Sequence, residues 1–565
     1  MDQPSANPQR SYTRGSQDKA LLAMTIGQKF DQTVAQYPDG EALVVRHQQL
    51  RYSWRQLADA VDVHARALLA LGLQAGDRLG IWAPNCAEWC ITQFATAKIG
   101  VILVNVNPAY RSSELEYVLK QSGCQWLVCA GAFKSSNYHG MLQGLVPELA
   151  EQSIGQLRSE RLPELRGVIS LDAKPPSGFL PWSQLTDMAA SISPQQLNER
   201  SNSLHFDQPV NIQYTSGTTG FPKGATLSHY NILNNGYMVG ESIGLTPTDR
   251  LVIPVPLYHC FGMVMGNLGC VTHGSTMIYP NDAFDPLLTL QTVAEEKATG
   301  LYGVPTMFIA MLDQPQRAEF DLSSLRTGIM AGATCPIEVM RRVISEMHMS
   351  EVQIAYGMTE TSPVSLQTGP NDELELRVTT VGRTQPQLES KIIDEAGNLV
   401  PRGTIGELCT RGYSVMLGYW QNPQATAEAI DDAGWMHTGD LASMNEEGYV
   451  NIAGRNKDMI IRGGENVYPR ELEEFFFTHP AVADVQVIGI PCSRYGEEIV
   501  AWIKFHPGHN ASELELQTWC KERIAHFKTP RHFKFVEEFP MTVTGKIQKF
   551  RMREISIEEL KTIER

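Results

Sequence analysis

The sequence is short of positive charge: 47 Lys and Arg stand against 62 Asp and Glu, giving a formal charge of −15 over 565 residues. Nucleic-acid surfaces need clustered cations, so no nucleic-acid partner is expected, and any substrate anion must be met by a few local groups. Paired cysteines are lacking as well. Ten cysteines are scattered with no C-x-x-C, and Cys86 and Cys90 fall four apart in an expected helix. That pattern reads as reduced thiols in a cytoplasmic protein, without a zinc site or a disulfide framework. From Leu251 to Asn281 no Asp, Glu, Lys or Arg occurs, yet Pro254, Pro256, Gly262, Gly266, Gly269 and Gly274 interrupt the run. A buried strand, helix and strand is expected there, and no integral membrane segment. The N-terminus has no apolar stretch of signal-peptide type, and residues 1–20 are expected to form a flexible tail.

The chain is too long for one ordinary core, so at least two domains are expected. Ser53 to Gln56 forms a capping box, and Leu57, Val61, Ala65, Leu68 and Leu69 follow on one helical face until Gly72. Leu79–Trp82 and Val101–Val106 read as buried strands around a helix over Ala87–Ile99. The same alternation recurs around Gly328–Ala333 and Val352–Gly357, which points to layered, mainly parallel α/β structure with ligands at the strand ends. After Asp372 the strands shorten and a β-rich subdomain is expected; from about Gly454 a small α+β unit begins. Domain limits of 21–455 and 456–565 follow.

One loop concentrates the chemistry. Tyr214 and Thr215 lead into Ser216, Gly217, Thr218, Thr219, Gly220, Phe221, Pro222, Lys223 and Gly224, which crowd hydroxyls and bare backbone around one lysine, as phosphate binding needs. A Walker A loop is excluded, because Pro222 stands where its second glycine belongs and Gly224 where its hydroxyl belongs. Val210–Tyr214 reads as a strand entering the loop and Ser228–Asn235 as a helix leaving it. A flexible linker is the bland alternative. Four further segments pair charge with glycine: Tyr356-Gly357-Met358-Thr359-Glu360-Thr361, Trp435 to Asp440, Gly454 through Pro469, and Thr544-Gly545-Lys546. Singly, each could be an ordinary turn.

Together and in this order, these segments resemble the core motifs of the acyl-adenylate-forming (AMP-binding) superfamily, over nearly the whole chain after residue 30. Through Tyr214–Asn235 and Pro256-Leu257-Tyr258-His259-Cys260-Phe261-Gly262 the chain is most similar to the fatty acyl-CoA synthetases, particularly the medium-chain branch. The resemblance implies an α/β fold: a large N-terminal domain of layered α/β subdomains plus a β-rich subdomain, with a small mobile α+β C-terminal domain. It implies a two-step ligase, in which a carboxylic acid attacks ATP to give acyl-AMP and pyrophosphate, and the thiol of CoA then displaces AMP. A carrier-loading adenylation enzyme, or a ligase for branched, aromatic or long-chain acids, is the alternative. Small molecules are thus the expected partners, and a homo-oligomer is left open.

By the same resemblance Lys546 is the central cation on a mobile loop, Glu360 holds Mg²⁺ with Thr215 near the same ion, and Thr359 and the loop from Thr215 to Lys223 donate to phosphate. Asp440, assisted by Arg455, accepts from the ribose hydroxyls, and Tyr356, followed by Gly357, stacks on adenine beside Gly332 and Ala333. Lys457 is the hinge, and Gly463, Gly464 and Glu465 border the pantetheine of CoA. His259 and Val304 face the acyl pocket, whose lining the charge-free run and Met307 supply. The bland readings are a helix-first-turn acid for Glu360, a turn cap for Asp440, a packed core histidine for His259, a surface lysine for Lys546 and a tight hairpin for Gly463–Glu465.

Overall fold

The structure is a computed structural model and describes residues 9–215, 222–333, 335–455, 458–462, 465–492, 495–521, 523–524, 526–542 and 547–563. Among them the chain builds two large sheets, a five-stranded antiparallel sheet, and a separate C-terminal sheet. The first large sheet runs 180–181, 167–170, 126–129, 78–82, 102–105, 209–215, 223–228, 418–419, parallel as far as Pro209–Thr215 and antiparallel beyond it. The second runs 383–384, 364–367, 351–357, 327–331, 300–303, 250–252, 276–279, 41–45, 50–53, with a parallel interior and antiparallel edges.

Strands of the parallel interiors read as continuous apolar runs because both faces are covered. One core joins the two sheets through the helices Trp54–Ala70, Ala87–Ile99 and His229–Ser242. Ala87–Ile99 is buried all round and stops at Gly100, whose φ of 75° is the left-handed cap geometry. The Ser53 box forms as expected: its hydroxyl accepts from Gln56 N at 3.2 Å, and Gln56 Oε1 accepts from Ser53 N at 2.8 Å. In the charge-free run, strands Arg250–Val252 and Thr276–Tyr279 flank a π-helix at Phe261–Leu268 and a short α-helix at Gly269–His273. No described helix is long and apolar enough to cross a membrane.

Two local expectations are corrected. The expected phosphate loop is not followed directly by a helix: Lys223–Ser228 is a strand, and Thr215 pairs with Lys223 in antiparallel register. The helix signal at Ser228 was real but local, since that residue caps His229–Ser242 after the strand has run its length. Nor is all of 1–20 a loose tail. Tyr12–Arg14 pairs with Leu388–Ile393, Thr13 opposite Ser390, and Ser11 is buried with its N–H on the Val400 carbonyl at 2.9 Å. An open antiparallel edge accepts any extended segment through main-chain bonds, which side-chain patterning does not announce. Residues 1–8 lie outside the described residues.

The five-stranded sheet, 12–14, 388–393, 406–412, 436–444, 450–455, is the β-rich region expected after Asp372. Val450–Arg455 closes it, and Ile460–Arg462 already belongs to the C-terminal sheet, whose own core gathers Val467, Leu472, Phe476, Val485 and Ile499. That unit docks on the rest through helix Pro469–Phe477: Arg470 Nη1 donates to the Ile452 carbonyl at 3.0 Å.

Candidate active site

The candidate residues gather at the C-terminal ends of parallel strands, where open α/β sheets leave a crevice. Strand Pro209–Thr215 ends at Thr215. Strand Glu351–Gly357 ends beside the one-turn 3₁₀ helix Thr359–Thr361. Thr215 Oγ1 donates to Glu360 Oε1 at 3.2 Å, and the Tyr419 hydroxyl donates to the same oxygen at 2.9 Å. Glu360 is 5 % exposed, so its carboxylate is supported by aimed donors rather than by water. Burial and the neighbouring Glu360 carboxylate push the Tyr419 phenol upward, so it remains a donor at neutral pH. Lys223 Nζ lies 5.0 Å from the centre of the Tyr419 ring, a cation–π approach that holds the ammonium at the mouth of the site.

Tyr419 was not foreseen. It arrives on the two-residue strand Gly418–Tyr419, which pairs with Lys223–Ser228 across nearly two hundred positions of sequence. Glu360 is also the first-turn acid of the 3₁₀ helix Thr359–Thr361, and its side chain is committed to Thr215 and Tyr419.

Tyr356 and Asp440 also meet. The Tyr356 hydroxyl donates to Asp440 Oδ2 at 2.5 Å, and Arg455 Nε pairs with Asp440 Oδ1 at 3.0 Å. Asp440 and Arg455 are register partners on adjacent strands, so the pair is set by the sheet itself. Burial opposes the Arg455 charge, and Asp440, with Tyr356, Asp458 and Glu360, more than offsets it, holding the guanidinium above its ordinary value. Burial, reinforced by Asp440, pushes the Tyr356 phenol well up. Ala331 is in register with Ala355, so Gly332 and Ala333 continue beyond the strand end next to Tyr356, with Gly332 at φ 87°. Thr359 opens the turn that carries Glu360. Gly357 has a separate reason to be glycine: a Cβ there would lie 1.7 Å from the Pro363 carbonyl oxygen.

A cavity of about 360 Å³ is lined mainly by apolar side chains including Phe133, Tyr258, Phe284 and Met307, with Met541 and Thr542 contributed by the C-terminal unit. Of the acyl-pocket lining expected from sequence, Pro254, Pro256 and Tyr258 of the charge-free run and Met307 line it. His259 and Val304 do not line it; they adjoin its wall in the chain, His259 beside Tyr258 and Val304 capping the helix Pro305–Leu312 that carries Thr306 and Met307. His259 stacks at a tilt on Tyr258, ring centres 4.2 Å apart, and the Tyr258 carbonyl is held by Asn105 Nδ2 at 2.8 Å. Both therefore sit where the π-helix begins.

Ser216, Gly217, Thr218, Thr219, Gly220, Lys457, Gly463, Gly464 and Lys546 lie outside the described residues. Their flanks are placed: Arg462 is in register with Glu465, which is exposed, and Met541 pairs with Ile547.

Comparison with known proteins bears directly on this arrangement. Residues 30–420 match the AMP-binding enzyme family and residues 471–546 match the AMP-binding enzyme C-terminal domain. The chain is 49% identical over 540 residues to the putative acyl-CoA synthetase YngI of Bacillus subtilis, covering 95% of this chain and 98% of that one. It is 47% identical over 554 residues to the human mitochondrial medium-chain acyl-CoA ligase ACSF2, covering 96% and 89%. Among solved structures, the anthranilate CoA ligase AuaEII in complex with anthranoyl-AMP superposes with a TM-score of 0.83 at 26% identity, covering 96% of this chain and 99% of that one. ATP-bound MatB from Rhodopseudomonas palustris superposes with a TM-score of 0.81 at 28% identity, covering 94% and 99%. With both family regions matched in order and near-full-length relatives at almost half identity, the chain belongs to the AMP-binding enzyme family and, within it, to the acyl-CoA synthetases.

Proposed function

We propose that the protein is an ATP-dependent fatty acid–CoA ligase that works through acyl-AMP, with medium-chain acids as its preferred substrates. The observation that carries this reading is the buried Glu360 carboxylate, gripped at one oxygen by Thr215 and Tyr419, on the turn that follows Tyr356, whose hydroxyl meets the Asp440–Arg455 pair. The reaction joins an anionic nucleophile to a polyanionic nucleotide, so its demand is for fixed donors and cations rather than for a base. Thr215, Thr359, Lys223 and the loop from Ser216 to Gly220 would meet the phosphates. Asp440 would accept from the ribose hydroxyls with Tyr356 and Arg455 holding its carboxylate still, and Gly332 and Ala333 would border the adenine. Lys546, on the segment that follows Thr542, would enter as the mobile cation. His259 would orient the carboxylate of the acid.

The donor set suits Mg²⁺: a buried carboxylate with a hydroxyl 3.2 Å away offers hard oxygens and leaves the remaining positions to phosphate and water. When bound, the ion would neutralise charge on the phosphates. We further propose that residues 456–565 move as a unit about Lys457, bringing Gly463, Gly464 and Glu465 to the pantetheine of CoA for thioester formation. A cytoplasmic location is proposed from ten free thiols, nine of them buried, as a reducing compartment maintains them.

The test is kcat/KM across straight-chain, branched and aromatic acids with ATP and CoA. Each buried methylene is worth about 0.8 kcal/mol, or about fourfold, so the profile should climb steeply to a medium-chain optimum and then fall. A flat profile, or an aromatic optimum, would contradict the acyl assignment. AMP release with CoA compared with release onto a phosphopantetheinylated carrier protein separates the ligase from a carrier-loading enzyme.

A further inference from the structure

Opposite the single residue Leu408, strand Met436–Met444 carries three: Glu407 is in register with Leu441 and Cys409 with His437, leaving Thr438, Gly439 and Asp440 to bulge out of the ladder. Bulges re-aim a side chain at the cost of ladder bonds, and here the side chain re-aimed is Asp440. Something must hold the bulge in shape. Thr438 does part of it: its hydroxyl donates to the Leu408 carbonyl at 2.6 Å and accepts from Asp440 N at 3.1 Å.

Glu407 does the rest. Oε1 accepts from Gly439 N at 3.1 Å and Oε2 from His437 Nδ1 at 3.0 Å, so one carboxylate ties together the residue before the bulge and the residue at its tip. Because a carboxylate only accepts, the ring donates from Nδ1. The other ring nitrogen, Nε2, faces Asp431 Oδ2 at 3.7 Å. Gly439 sits at φ 68°, a left-handed conformation that lets the turn reverse, so its amide direction is fixed by the acceptor rather than by the chain.

We propose that Glu407 is a positioning residue for nucleotide discrimination: by clamping His437 and Gly439 it fixes the Thr438–Asp440 bulge, and through it the direction in which the Asp440 carboxylate meets the ribose. The inference rests on the reading of Asp440 as the ribose acceptor. Glu407 itself touches no substrate. It acts on the far side of the turn from Tyr356 and Arg455, which hold the Asp440 oxygens. Gly439 is exposed, so water replaces a lost acceptor at its amide and the fold survives removal of the carboxylate. What is lost is the fixed aim of Asp440. A side chain that only stabilised the sheet would slow all nucleotides alike; a clamp acting through a ribose acceptor affects most the nucleotide that has both hydroxyls.

The experiment compares pyrophosphate release with ATP and with 2′-deoxy-ATP in the full-length wild type, Glu407→Ala, Glu407→Gln and Asp440→Ala. The wild type is expected to prefer ATP, and Asp440→Ala to lose that preference. Glu407→Ala should cut the ATP to 2′-deoxy-ATP ratio of kcat/KM by about tenfold, the scale of one charge-assisted hydrogen bond, because ATP loses two aimed hydroxyl contacts where 2′-deoxy-ATP loses one. Glu407→Gln should recover most of the loss, because its carbonyl oxygen can accept from Gly439 N and its amide can donate to the other tautomer of His437. If Glu407→Ala keeps the wild-type ratio, or lowers both nucleotides equally, while Asp440→Ala loses the ratio, the clamp is wrong and the ribose reading stands. Retention of the ratio by Asp440→Ala would instead overturn the ribose reading. Should the Ala variant fail to fold, Glu407→Asp, too short to span both donors, takes its place with the same expected loss.

Discussion

Replacing Gly357 by alanine is a one-methyl change whose consequence can be worked out from neighbouring atoms. The added Cβ would stand 1.7 Å from the Pro363 carbonyl oxygen, whereas real Cβ atoms keep at least 3.0 Å, so that carbonyl must retreat by about 1.3 Å. It is no idle group: it accepts from Met358 N at 3.0 Å and from Thr361 Oγ1 at 2.6 Å, and so ties down both ends of the turn that carries Thr359 and Glu360. A displacement of about 1 Å at a reacting centre costs on the order of a hundredfold in rate. Gly357→Ala should therefore lower kcat/KM for acyl-adenylate formation by about a hundredfold or more, measured as acid-dependent pyrophosphate release. The matched control is Gly144→Ala, in helix Tyr138–Leu145, where a Cβ meets nothing within 4 Å and activity should be unchanged. Circular dichroism of both variants separates a misplaced turn from a lost fold. A folded Gly357→Ala enzyme within threefold of wild type would refute the claim that the Glu360 turn is held to sub-ångström tolerance.

Tyr419→Phe removes one of the two donors on the buried Glu360 Oε1; adenylation should slow by about tenfold, and an unchanged rate of pyrophosphate release would remove Tyr419 from the site. Lys546→Ala should abolish acyl-AMP formation while largely sparing thioester formation from supplied acyl-AMP and CoA; equal losses in the two half-reactions would contradict its assignment. Acid stability should report His64 and His229, which burial pushes down to about 3 from an ordinary 6.5. Both are held neutral, His64 stacked 4.3 Å from Trp182 and His229 accepting from Ile26 N at 3.2 Å. Their contribution is complete above pH 6.5 and is lost as pH falls toward 3, because the unfolded chain binds the protons first. Urea midpoints should accordingly fall between pH 7 and 4, and His64→Gln should flatten the slope by about one proton; parallel slopes would show that His64 is not buried neutral.

Much of the site was legible because its residues sit in short segments whose composition is dictated by backbone contact with phosphate or by a turn. Thr215, Glu360, Tyr356, Asp440 and Arg455 were each assigned through the resemblance of such segments to the acyl-adenylate-forming motifs, and the fold joins Thr215 to Glu360, and Tyr356 and Arg455 to Asp440. Tyr419 and Glu407 were not, because neither stands in a turn rich in glycine and hydroxyls. Tyr419 reaches Glu360 only through a strand pairing between Ala225 and Tyr419, and Glu407 matters only once a bulge has set Gly439 against it. Pairing over such separations leaves no local trace. The strand that enters the expected phosphate loop was read correctly but the exit was misread, since the cap at Ser228 is a strong local signal and the six-residue strand before it is a weak one. The edge strand at Tyr12–Arg14 was missed for a similar reason, because its partner supplies main-chain bonds and its sequence supplies almost no apolar pattern.

The most direct test of the account is exchange of labelled pyrophosphate into ATP, driven by octanoate in the absence of CoA, followed by addition of CoA to the same mixture. The account predicts exchange that depends on the acid, and then conversion to octanoyl-CoA with one AMP released per thioester. Exchange without acid, no exchange with any fatty acid, or sustained AMP release without CoA would contradict it.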